Sequence, residues 1–207
     1  RRSGGMHYTS IENIHKVIDP LFLSSLTGEL DEIIANPIAK TKEIKLKAFQ
    51  EKLAGLKFLD PAAGSGNFLT ETYISLRRLE NRVIGELHQG QMQFDLDVDS
   101  PIKVGISQFH GIEINDFAVT VAKTALWIAE SQMMKETEDI IYANLDFLPL
   151  KTNANIVEGN ALRIDWNEVV PATQLDYIIG NPPFVGYSLQ SKEQKEDILS
   201  IYVDEKG

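Results

Sequence analysis

The stretch Asp176-Tyr177-Ile178-Ile179-Gly180-Asn181-Pro182-Pro183-Phe184 ends an apolar run in an amide, two prolines and a phenylalanine. Each proline removes a backbone donor and fixes φ, so neither a helix nor a central strand continues through them. The chain there presents a side-chain amide, a stiff turn and an aromatic ring at the end of a strand. A second group, Phe58 to Leu69 (FLDPAAGSGNFL), places the Asp60 carboxylate beside a turn of small residues. Small side chains let a ligand approach the backbone, and the helix start that follows offers N–H groups. A carboxylate beside such a turn, with no phosphate-binding lysine, suits a cationic, amine-bearing ligand. Glu113, in Phe109 to Asp116 (FHGIEIND), stands where an open α/β sheet binds ligands, and its carboxylate can accept from both hydroxyls of a ribose. Its plainer role is to cap the next helix. Asn160, in Val157 to Asp165 (VEGNALRID), offers an amide to a ligand's base edge or simply turns the chain.

Other chemistries fit less well. A dinucleotide fingerprint needs G-x-G-x-x-G/A, but from Gly64 the chain reaches Gly66 and then Leu69, so the last position is broken. A phosphate loop would need Gly-Lys-Ser/Thr, which the turn lacks. Asp95, Asp97 and Asp99 resemble the first half of a calcium loop, yet Ser100 and Ile106 stand where it needs glycine and glutamate; the run reads as a solvated acidic loop. The 4 histidines have no partner at ligand spacing, so no metal site is expected.

These residues must be held by a scaffold, and the hydrophobic pattern describes it. Thr9-Ser10-Ile11-Glu12 reads as a capping box, Thr9 with Glu12, opening a helix whose stripe is Ile14, Val17, Ile18, Leu21 and Phe22. Pro20 inside that pattern predicts a kink or a break. A second helix is expected from Lys40 to Ala54, with its lysines on a solvated face. Strands are expected at Leu56–Leu59, Gln108–Ile114, Asn155–Glu158 and Leu175–Ile179. Helices are expected at Asn67–His88 and Asp116–Met134, with an inserted loop over 89–103 that accounts for most of the long separation between Gly64 and Glu113. Strands alternating with helices predict an α/β fold, a Rossmann-like doubly wound and mostly parallel sheet, preceded by an N-terminal helical segment and truncated at its C-terminal side. The expected division is a helical segment over 1–55 and a core over 56–207.

Composition bounds the remaining choices. The chain has 207 residues, 43% of them hydrophobic, enough for one substantial core. With 0 cysteines, disulfides and thiolate metal sites are excluded, and a cytoplasmic setting is the expectation. No apolar run reaches the roughly 18–20 residues of a spanning helix, and Arg1 to Gly5 shows no signal-peptide pattern, so no membrane partner is expected. The formal net charge of −10 argues against a large phosphate-binding surface on this chain.

"DPAAGSGNF" followed by "GNPPF" resembles the class I S-adenosylmethionine-dependent DNA methyltransferases that act on amino groups, and Asn-Pro-Pro-Phe is similar to the adenine-N6 branch. With "GMHYTS", "TALWIAE" and "GNPPFVGYSLQSKEQKED", the pattern resembles the methyltransferase region of MmeI-type single-chain restriction–modification enzymes, from Gly5 to Asp197. Ala63 stands where these enzymes often carry cysteine, and a small side chain serves the same turn. The resemblance implies S-adenosyl-L-methionine as cofactor, with His7, Tyr8 and Thr9 at its amino-acid part. It also implies Asp60, Pro61, Ala62, Ala63, Gly64, Ser65, Gly66, Asn67 and Phe68 around its methionine. Glu113 would hold the ribose, Ile114 would pack on the adenine ring, and Asn160 with Ala161 and Leu162 would lie at that ring's edge. Asn181, Pro182, Pro183 and Phe184 would be catalytic, with Phe184 stacking on a base extruded from duplex DNA. The partner would be double-stranded DNA, with a nuclease domain preceding and a target-recognition domain following. The same Asn-Pro-Pro-aromatic device occurs in enzymes that methylate release-factor glutamine or ribosomal RNA guanine, which is the alternative substrate class. An idle nucleotide-binding scaffold is the non-enzymatic alternative.

Overall fold

The computed structural model describes residues 9–89, 101–142, 145 and 154–201. His7 and Tyr8, and the acidic run at Asp95, Asp97 and Asp99, lie outside the described residues. Four short strands, β1 (Phe58–Asp60), β2 (Phe109–Glu113), β3 (Asn155–Glu158) and β4 (Tyr177–Ile178), pair in parallel in the order β3-β2-β1-β4. Aromatic rings hold their register. Phe58 lies 5.2 Å from Phe109 and 5.4 Å from Tyr177, centroid to centroid and stacked on both, in the pairs Phe58↔Phe109 and Phe58↔Tyr177. Cross-strand aromatic pairs of this kind resist slippage, and a one-residue slip would turn every side chain to the other face. Phe22 closes the cluster from the N-terminal helices, 5.3 Å from Phe58 and 4.9 Å from Tyr177.

Helix α1 (Ile11–Ile18) is capped by Ser10, whose hydroxyl accepts from the Asn13 N–H at 3.4 Å; the cap lies one residue later than the Thr9 box predicts. At Pro20 the α-helix gives way to a different turn, which divides the segment into two α-helices, as a break there predicts. The turn Asp19–Leu23 widens to a π-helical one, in which the Ser24 N–H reaches the Asp19 carbonyl and the missing proline donor is absorbed. A second α-helix, α2 (Ser24–Ile34), follows this turn. Of the expected stripe, Ile14, Ile18 and Phe22 are buried, whereas Val17 and Leu21 are exposed. Helix α3 (Ala39–Gly55) follows.

Helices α4 (Asn67–Gln89) and α5 (Asp116–Ile141) pack on each other and on one face of the sheet. The N-terminal helices share their core: Ile14, Phe22, Leu30, Phe58, Leu76 and Leu126 belong to one buried cluster. His15 adds a polar tie, bonding Asp19 at 2.7 Å and Glu71 of α4 at 3.1 Å; these acceptors raise its pKa. Between α4 and α5, Arg77 and Glu80 form a fully buried ion pair. Arg77 also donates to Thr137 (2.6 Å), and Glu80 accepts from the Gln50 amide (2.8 Å) and the Lys103 N–H (2.6 Å), so the end of the insertion is pinned to the core. Short helices α6 (Trp166–Val169) and α7 (Lys192–Ile201) complete the described chain. The strands start and stop within two residues of expectation, β3 matches it, and α5 runs on to Ile141 beyond the predicted Met134.

Candidate active site at the strand ends

The sheet order reverses between β1 and β4, and in open α/β sheets ligands bind outside the carboxyl ends of the strands at such a switch point. A cavity of about 30 Å³ lies there, lined by Thr9, Asp60, Ala62, Ala63, Gly64, Ser65, Asn67, Phe68 and Asn181. It brings together three stretches far apart in sequence, and among the described residues no lysine or arginine lines it. A larger cavity of about 540 Å³, beside the edge strand β3 and lined by Lys123, Trp127, Asn155 and Glu168, gathers none of the predicted site residues.

Asp60 ends β1 with its carboxylate almost fully buried. Burial pushes its pKa up to about 7, helped by the neighbouring Glu113 carboxylate, while the Ala62 N–H, donating at 2.9 Å, pulls it down. The turn that follows needs its glycines: Gly64 and Gly66 have φ +55° and +80°. A Cβ on Gly66 would come within 2.9 Å of the Ala122 Cβ, so α5 closes against the turn only where no side chain intervenes.

Glu113 ends β2 and reaches across to the turn. One carboxylate oxygen accepts from the Gly64 N–H at 2.8 Å, the other from the Asn115 N–H at 2.9 Å. The cap of α5 is Asn115, whose side chain accepts from the Ala118 N–H at 3.0 Å. Glu113 therefore spans the ends of β1 and β2, and each oxygen keeps acceptor capacity for a ligand. Ile114, beside it, is exposed.

On the β4 side, the Ile179 N–H still pairs with the Leu59 carbonyl at 2.9 Å, and Ile179 is buried while Ile178 is exposed. Gly180 then turns with φ +154°, directly over Asp60: a Cβ there would meet the Asp60 Oδ1 at 2.4 Å. This glycine is a site residue that motif reading passed over, although its place before Asn181 was the signal. Asn181 follows, exposed, with its Nδ2 donating to the Thr9 Oγ1 at 3.4 Å. Pro182, Pro183 and Phe184 are also exposed, and the Phe184 ring is 94% accessible, so it is not a packed turn residue.

Asn160 is less free than a base-edge reader would be. Its Oδ1 accepts from the Leu162 N–H (2.9 Å) and its Nδ2 donates to Asp197 of α7 (2.8 Å). Ala161 packs beside the small cluster of Leu59, Ile112 and Val170 on the second face of the sheet.

The cavity's chemistry fits a cation-bearing ligand. The Asp60 carboxylate lines it with the Glu113 charge nearby, burial destabilises Asp60 as an anion, and among the described residues no positive side chain lines the cavity to relieve it. An ammonium or sulfonium group would supply that relief, while a phosphate would add to the repulsion.

A four-stranded parallel sheet with a glycine turn after β1, a carboxylate at the end of β2 and Asn-Pro-Pro-Phe after β4 defines the methyltransferase class of α/β fold. The family model described as the MmeI DNA-methyltransferase domain matches residues 37–207, and the chain belongs to that family. It is 45% identical over 201 residues to DNA methyltransferase A of Bacillus subtilis (strain 168), covering 96% of this chain and 22% of that protein. It superposes with a TM-score of 0.88, at 45% identity, on the solved structure of the Type IIL restriction–modification enzyme MmeI in complex with DNA, over 98% of this chain and 26% of that one. It is also 34% identical over 74 residues to the adenine-specific methyltransferase PglX of Streptomyces coelicolor, 36% of this chain and 5% of that protein. The chain thus spans about a quarter or less of the length of these relatives.

Proposed function

We propose that this chain is the catalytic part of an enzyme that transfers a methyl group from S-adenosyl-L-methionine to the N6 amine of adenine in duplex DNA, in a cytoplasmic restriction–modification protein. The observation that carries the reading is the single cavity shared by Asn181 and the Asp60–Phe68 turn: an amide fit for a target amine opens onto the place fit for a cationic donor.

When bound, S-adenosyl-L-methionine supplies an electrophilic methyl on a sulfonium. Asp60 and the turn from Pro61 to Phe68 would hold its amino-acid half, together with Thr9 and, as the sequence resemblance implies, His7 and Tyr8. Glu113 would accept from the ribose hydroxyls, Ile114 would cover the base, and the Asn160–Leu162 loop would border it. The adenine amine is a poor nucleophile because its lone pair is delocalised into the ring. Since the Asn181 Nδ2 is turned toward Thr9, its Oδ1 is left for the substrate. That oxygen and the Pro182 carbonyl accept the two amine hydrogens and favour a tetrahedral nitrogen whose lone pair is aimed for in-line displacement. With the donor bound, the N–C bond would form as its S–C bond breaks, and the surplus proton would leave to solvent. The effect is one of orientation and electrostatics, with no strong base. Pro182 and Pro183 keep the acceptors in place, and Phe184 stacks on the extruded base.

The adenine assignment is supported by the Asn-Pro-Pro-Phe form and by the adenine-specific relative. A net charge of −10 offers little counterion release, so we assign recognition of the DNA sequence, and cleavage, to other domains of the protein. The test is transfer of labelled methyl from S-adenosylmethionine by the intact protein to unmethylated plasmid DNA, ribosomal RNA and release factor in parallel. Label in DNA alone is expected; label in RNA or protein instead moves the substrate class to the alternative.

A further inference from the structure

Helix α7 follows the Asn181–Phe184 segment, and its docking is unusual. Leu199 and Ile201 are exposed, and the one buried residue of α7 is a carboxylate, Asp197. Asp197 Oδ1 accepts from Arg163 Nε at 2.7 Å and pairs with Arg163 Nη2 at 2.6 Å, while Oδ2 accepts from Asn160 Nδ2 at 2.8 Å. A guanidinium fork and an amide thus satisfy both oxygens, and the same Asn160 folds its own loop by accepting from the Leu162 N–H. That loop adjoins the Glu113 strand end, where the Gly159 N–H donates to the Glu113 carbonyl at 2.8 Å. A single carboxylate therefore joins the loop beside the proposed ribose and base site to the helix that continues the proposed target-amine segment. A helix whose one buried side chain is a carboxylate is more easily biased by what happens at that carboxylate than one buried along an apolar stripe.

We propose that Asp197 is a positioning residue that couples the two sites: occupation of the cofactor's nucleoside site steadies the Asn160–Arg163 loop and, through Asp197, α7 and the segment beginning at Asn181. Linkage makes the coupling reciprocal, so a bound target base tightens cofactor binding by the same factor. The inference rests on the cofactor site proposed above.

Hydrogen exchange of the intact protein, with and without saturating S-adenosylhomocysteine, tests it. In the wild type, amides of 61–69 and of 192–201 should both slow on addition, those of α7 by about tenfold. In Asp197→Ala the response of 61–69 should persist while that of α7 disappears. Arg163→Lys keeps the charge without the fork and should shrink the α7 response, which provides a second route if the alanine variant does not fold. A purely structural Asp197 would make α7 exchange faster with and without ligand alike, leaving the ratio unchanged, and that result overturns the coupling. So does a wild-type α7 that ignores ligand while 61–69 responds. If no segment responds and calorimetry shows no binding, the cofactor reading itself fails and the coupling falls with it.

Discussion

The turn after β1 and the segment after β4 end neighbouring strands, yet one is sunk in the protein and the other stands out of it. Asp60 is 2% exposed and Phe184 94%. The turn is held from several sides: by Asp60 through Ala62, by Glu113 through Gly64, and by the bare approach of Gly66 to Ala122. Beyond Gly180, the segment Asn181–Phe184 is exposed, and among the described residues Asn181 is tied to Thr9 by one long bond. The first arrangement suits a small ligand, whose contacts must be preorganised because it brings few of its own. The second suits a macromolecular substrate that supplies the missing wall and covers the aromatic ring on arrival. On this view Asp60 and Glu113 govern affinity for the cofactor, and Asn181 governs the rate of transfer.

The largest expected effect breaks the comparison at its open end. Asn181→Ala should lower single-turnover methyl transfer in the intact protein by about 10²–10³, the scale for losing one preorganised polar partner, with cofactor affinity nearly unchanged. Asn181→Asp keeps an acceptor oxygen and should retain measurable activity where alanine does not. Equal rates for wild type and Asn181→Ala would return the segment to a structural turn.

The next effect belongs to the buried end and is read by pH. The folded pKa of Asp60, about 7, lies above its unfolded value, so the folded state binds the proton more tightly. Its contribution to stability is complete below the unfolded pKa, near 4, and is lost as pH rises through about 7. Without cofactor, the wild type should lose a few kcal/mol relative to Asp60→Asn across that window, as followed by urea melts at stepped pH. A difference that stays flat with pH would mean that Asp60 is not held as the acid. If a cation binds beside Asp60, cofactor affinity should also rise with pH up to about 7, and Asp60→Asn should flatten that rise.

A smaller effect sharpens the division of labour. Glu113→Ala should weaken cofactor binding by about 1.5–3 kcal/mol, the range for charge-assisted hydrogen bonds. Glu113→Gln should cost less, because one acceptor oxygen remains. Unchanged affinity in the alanine variant, measured by calorimetry, would remove the ribose assignment.

Much of this layout was legible in the residues because it is local. Small residues after Leu59, the alternation of strands with helices, and the double proline each carry their structural meaning within a few positions. Thus β1, α4, β2 and β3 fall close to expectation, and the cavity draws Thr9, Asp60 and Asn181 together. What escaped was either the form of a turn or a partnership across long separations. Pro20 announces the division of the N-terminal helix, but nothing local foretells that the turn there widens to a π-helical one with Ile18 and Phe22 buried. Nothing local shows that Arg77 and Glu80 are buried, because their partners Thr137 and Gln50 lie 60 and 30 residues away. Asn160 has a partner 37 residues away in Asp197, which no spacing rule connects.

The central claim is that the Asn181 site takes the amine of adenine. The most direct test is the identity of the product: unmethylated DNA is incubated with the intact protein and S-adenosylmethionine, digested to nucleosides and resolved by mass spectrometry. The account predicts N6-methyladenine as the new nucleoside, absent with Asn181→Ala. N4-methylcytosine or 5-methylcytosine in its place would contradict it.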